Sequence, residues 1–155
     1  MSKNIILSSL LILVLILIVY FIFFKITPLN TIKINIGNTK YNIEVAKSMA
    51  QKQKGLSDRQ KLCSDCGMIF TFGNEGTQPF WMKDTLIGLD IIWLKSDGEI
   101  VSIQTAQPEI GVPMTQLKIY QNTLPAKYVI ELNAGDATKL NLKVGDHIKL
   151  NNLNE

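Results

Sequence analysis

The chain has 155 residues, 46% of them hydrophobic, with 16 Lys+Arg against 13 Asp+Glu, one His and two Cys. A net charge of +3 with no dense basic stripe excludes a strong nucleic-acid binder, and two cysteines exclude a disulfide-scaffolded mini-protein. The mean hydropathy of +0.16 has its source at the start, since residues 1–24 are almost entirely apolar and all 13 acids lie beyond them.

Residues 5–24 (IILSSLLILVLILIVYFIFF) carry no charge, and about 20 helical residues cross a hydrocarbon core of roughly 30 Å. The run ends in bulky Phe23 and Phe24 before Lys25, with none of the small residues that a signal peptidase cleaves. The expectation is an uncleaved anchor over residues 1–25 and a single-pass protein of the cell membrane. The tail before the anchor is short and no second apolar span follows, so the globular part is placed outside the cytoplasm, in the cell envelope.

Residues 26–30 read as a linker, residues 31–150 as one β-rich domain and residues 151–155 as a polar tail. Within the domain, residues 31–36 (TIKINI) alternate as a half-buried strand does, Gly37-Asn38 signals a hairpin, and residues 40–45 return. Ser48 is placed to cap a short helix over residues 49–54, with Gly55 closing it. Residues 67–72, 89–94, 99–105 and 128–132 read as further strands. Residues 107–124 read as a long loop, residues 136–140 as a helical turn and residues 147–150 as a last strand. Many short strands with few helices predict a mainly-β (α+β) fold, a small barrel- or sandwich-like sheet with one or two short helices.

Several blocks occur in a specific order. Gly55-Leu56-Ser57-Asp58-Arg59 is followed by Gly67-Met68-Ile69-Phe70 and by Phe80-Trp81-Met82-Lys83-Asp84-Thr85. Leu89-Asp90-Ile91-Ile92, Asp97-Gly98-Glu99-Ile100-Val101, Tyr128–Gly135 and Gly145-Asp146 come after. This order resembles the bacterial and archaeal family called domain of unknown function 192, over about residues 31–150. The resemblance implies a compact, mostly β fold, commonly behind an export signal or anchor, and no established activity. Two departures stand out: Asp84 where the family usually has Asn, and Gly88 where it usually has Pro.

Among 15 lysines Arg59 is the single arginine, so a planar five-donor fork is kept at one place. It serves either a ligand or a structural ion pair. Asp90 and Glu131 lie within apolar strands, where a carboxylate is costly unless paired, and are its expected partners. Trp81 and Met82 offer an apolar floor, unless Trp81 plugs the fold, and Lys83 and Thr85 add a cation and a hydroxyl. The expected site is therefore a pocket of Arg59, Trp81, Met82, Lys83, Thr85, Asp90 and Glu131 that binds a small ligand or an envelope partner.

Two alternatives stand beside it. Asp90 and Glu131 could be an acid/base pair hydrolysing an envelope polymer. Cys63 and Cys66 could do thiol chemistry, although a strand rather than a helix follows them; otherwise they are free thiols or one local disulfide. With His147 the only imidazole, a four-ligand zinc site lacks donors. No phosphate loop, dinucleotide fingerprint, H-E-x-x-H or G-x-S-x-G is present, so no metal or cofactor is expected.

Overall fold

The structure, a computed structural model, describes residues 8–16, 29–150 and 153. Residues 8–16 are helical (α1) and expose Leu10 through Ile16. No helix among the described residues is long and apolar enough to cross a membrane. The rest of the expected span, residues 5–7 and 17–24, lies outside the described residues.

β1 (Asn30–Ile36) and β2 (Thr39–Ala46) form the expected hairpin, with Ile36 opposite Thr39 and Gly37 at φ +56 in the two-residue turn. α2 (Met49–Lys54) begins at a reciprocal capping box. The Ser48 hydroxyl accepts from the Gln51 N–H, and the Gln51 side chain accepts from the Ser48 N–H. Gly55, at φ +47, ends it. This crossover allows β3 (Cys66–Gly76) to run parallel to β2. β4 (Leu89–Leu94), β5 (Ile100–Ala106) and β6 (Ala126–Asn133) complete one six-stranded sheet in the order β1-β2-β3-β6-β4-β5. α3 (Asp136–Lys139) follows β6.

The sheet is open, which corrects the barrel-like expectation. β1 and β5 are its two edges and do not pair with each other. It is a single sheet buried on both faces, as the six wholly buried residues of β4 show. Side chains alternate between the faces with period two. One apolar cluster therefore gathers Ile34, Ile43, Ile69, Ile92 and Ile130. The other gathers Met68, Phe70, Met82, Ile91 and Trp93.

The expected last strand is also corrected. Only an isolated bridge joins His147 to Glu99, where Gly145 at φ +94 turns the chain under Ile100. Residues 107–124 hold a single 3₁₀ turn (Met114–Gln116). They are tied down by the bridges Phe80 to Tyr120 and Lys83 to Glu109.

Candidate functional site

On the second face the register lays down a row of side chains. Glu44 of β2 is opposite Met68 of β3, Met68 is opposite Glu131 of β6, and Glu131 is opposite Ile91 of β4. Arg59, in the loop after α2, reaches into this row and makes a bidentate pair with Glu44, both N···O distances being 2.6 Å. That fork-to-fork geometry holds Arg59 firmly protonated, its pKa raised first by the hydrogen bonds to Glu44.

Glu131 is left in a different condition. Its residue is 5% exposed, and its carboxyl meets no donor among the described residues, only the field of Arg59. Burial pushes its pKa up to about 8, against a smaller opposing pull from the Arg59 charge. The carboxyl opens onto a cleft of about 220 Å³ between α2 and the segment that precedes β4. Phe70, Phe72, Phe80 and Trp81 supply its aromatic walls, and Leu56 and Thr85 its depth. Phe80 meets the Phe70 ring edge-on at 4.8 Å between centroids and the Trp93 ring at 6.1 Å, which fixes the back wall.

The front wall is set by a pair of interlocked turns. The Ser57 hydroxyl donates to the Lys83 carbonyl at 3.0 Å and the Asp58 N–H to the Asp84 carbonyl at 2.8 Å. Asp84 sits at φ +53, a left-handed conformation that Asn and Asp adopt more readily than other side chains. Its carboxylate pairs with Lys83 at 2.8 Å. The backbone shape here thus suits Asp84.

Of the residues expected to form one pocket, the structure brings Trp81, Thr85 and Glu131 together. Trp81 is 44% exposed at the mouth, and Thr85 is buried with its hydroxyl donating to the Lys83 carbonyl. Met82, next in sequence to Trp81, is wholly buried in the core instead of lining the cleft. Lys83 points to solvent and Asp84. Arg59 is engaged by Glu44, a residue the sequence offered no reason to choose, and only its field reaches Glu131.

Asp90 belongs to the opposite face. It stands opposite Leu132, one residue out of step with the Glu131–Ile91 pair. There it accepts from the Thr105 hydroxyl at 2.7 Å and from the Ala137 N–H at 2.8 Å, satisfying an otherwise unpaired donor in the first turn of α3. The expected pairing of Asp90 with Arg59 or Glu131 therefore does not form.

Cys63 and Cys66 are joined by a disulfide with 5.1 Å between Cα atoms. It closes the turn that leads into β3, where Asn42 donates to the Asp65 carboxylate at 2.9 Å and Asn133 to the Cys63 carbonyl at 3.0 Å. Cys66 opens a strand, with no helix terminus beside it to stabilise a thiolate. His147 is exposed, its nearest acid Asp97 at 3.9 Å.

With the fold and cleft defined, the class is a six-stranded mixed-sheet domain with one aromatic cleft over a buried acid. The chain belongs to the DUF192 family, uncharacterized ACR, whose match spans residues 31–150. No curated protein matches. Among crystal structures, a proposed transcription regulator from Sinorhizobium meliloti 1021 is similar, with a TM-score of 0.69 and 29% identity over 79% of this chain and 95% of that one. A protein of unknown function from Novosphingobium aromaticivorans DSM 12444 is similar at a TM-score of 0.64 and 29% identity, over 78% and 84% of the two chains.

Proposed function

We propose that this protein is a membrane-tethered binding module, anchored by its apolar N-terminal segment and displayed outside the cytoplasm, which takes a small ligand in the cleft above Glu131. The observation that carries the reading is Glu131 itself. Glu131 is a largely buried carboxyl that meets no protein donor among the described residues and lines an open cleft, so it is free to accept from a ligand. An acid so placed, at the floor of an aromatic cleft, fits a binding role better than a structural one. The modest cleft volume suits a ligand of few heavy atoms, below the usual range for drug-sized pockets.

The hydrolase alternative loses its geometry, because two carboxylates on opposite faces of one sheet cannot flank a single scissile bond. The regulator description of the Sinorhizobium structure finds no counterpart in the domain's helices. α2 and α3 have six and four residues, too short to read a major groove.

The test is a fragment screen against the full chain in detergent micelles, followed by the indole N–H resonances. Hits should shift the Trp81 signal and leave that of Trp93, whose Nε1–H is bonded to the Gln78 carbonyl at 2.8 Å. Hits that cluster elsewhere would overturn the assignment. Carbonate extraction of cell membranes, with and without residues 1–25, tests the anchor.

A further inference from the structure

We infer that the ligand of this cleft is a small organic cation, a primary ammonium or guanidinium group carried on an apolar body. The inference rests on the binding reading above and specifies its ligand.

Glu131 is one-twentieth exposed, meets no donor among the described residues and lines the cleft. A group that both balances its charge and donates to its oxygens satisfies it completely, and an N–H cation does both. The neighbouring cations do not already fill that role. Arg59 is held in a bidentate pair by Glu44. On α2, Lys54 is paired with Asp58 at 2.5 Å, and Lys52 lies over the Phe72 ring with its Nζ 4.5 Å from the centroid. On the far wall, Lys83 is paired with Asp84.

The walls favour the same ligand. Aromatic faces carry negative potential and attract ammonium and guanidinium groups, more strongly where water is excluded. Lys52 over Phe72 shows one wall ring already holding an ammonium at the rim. An anionic ligand would instead hold the carboxyl in its protonated form and oppose its ionisation. At neutral pH the carboxyl enters the encounter protonated, so its proton passes to solvent as the cation takes its place, one proton released for one cation bound.

The test compares benzylammonium with benzyl alcohol, similar in shape but uncharged, on the full chain in micelles at pH 7. Calorimetry in two buffers of different ionisation enthalpy counts the proton, and the Trp81 indole resonance reports occupancy. Benzylammonium should bind about tenfold more tightly than benzyl alcohol or better, with proton release. Glu131→Gln should abolish the difference, while an unmoved Trp93 indole signal verifies that the variant is folded. Equal or tighter binding of benzyl alcohol at Trp81, or a preference that survives Glu131→Gln, would overturn the cationic class and leave the binding cleft standing. If neither probe binds, the cation inference fails, and a fragment screen that also leaves Trp81 unmoved removes the binding reading with it.

Discussion

Glu44 and Glu131 stand in one row of the sheet with only Met68 between them, yet their surroundings drive them apart. Glu44 receives both arms of the Arg59 guanidinium, and Glu131 receives none. One arginine thus leaves two nearby acids in opposite states, one paired and one buried without a hydrogen bond.

Stability should fall with rising pH across a defined window. The folded protein holds the Glu131 proton up to about pH 8, whereas the unfolded chain releases it near the ordinary value of 4.5. Below that lower value the residue costs nothing through ionisation, and the penalty grows as pH rises toward about 8. The slope from this group is roughly 1 kcal/mol per pH unit. Urea unfolding between pH 5 and 8 should show this slope in the wild type and lose it in Glu131→Gln, which becomes the more stable protein at the alkaline end.

Arg59→Lys should destabilise by about 1–2 kcal/mol, because an ammonium cannot reproduce the bidentate fork at a half-buried pair. Arg59→Met should cost more, since it strands Glu44. Removing the guanidinium also removes the one pull among the described residues that lowers the Glu131 pKa, so the carboxyl should titrate higher still. Carbon-detected NMR of the Glu131 carboxyl reads that shift directly, and a downward movement would contradict the arrangement.

Asp90→Ala should cost about 1–3 kcal/mol in urea unfolding, from losing the acceptor for the Ala137 N–H and for Thr105. The same variant should leave occupancy of the cleft unchanged, because its side chain lies on the other face. A change in probe binding at Trp81 would show that the two faces communicate.

Reducing the Cys63–Cys66 bond should lower stability by ~2 kcal/mol, the entropy expected for so short a loop. The comparison is thermal unfolding with and without reductant, with Cys63→Ser/Cys66→Ser as the control that reductant no longer affects.

How far the sequence carried depended on which contacts were local. The β1–β2 hairpin, the Ser48 cap and β4 were legible because alternation, capping chemistry and a mostly apolar run are written in adjacent residues. The site depended on register. Whether Asp90 and Glu131 share a face turns on a one-residue offset between β4 and β6, invisible without the pairing. The same parity problem separated Trp81 in the cleft from Met82 in the core. Glu44 was hidden because a polar residue in an alternating strand reads as solvent-facing, and only the crossover through α2 brings Arg59 above it. The missing closure of the sheet was equally non-local, a matter of whether two edges far apart in sequence meet.

One wall of the cleft is the six-residue helix α2, and that helix buries none of its own residues. It is held by its Ser48–Gln51 cap at one end and by buried Leu56 just past the other, while the opposite wall is braced by edge-to-face rings. A helix this short draws little stability from its own hydrogen bonds, and displacing it uncovers little apolar surface. The two walls of the cleft therefore differ in what holds them: a cap and loop bonds on one side, and on the other the sheet, which carries the acid and the aromatic backstop.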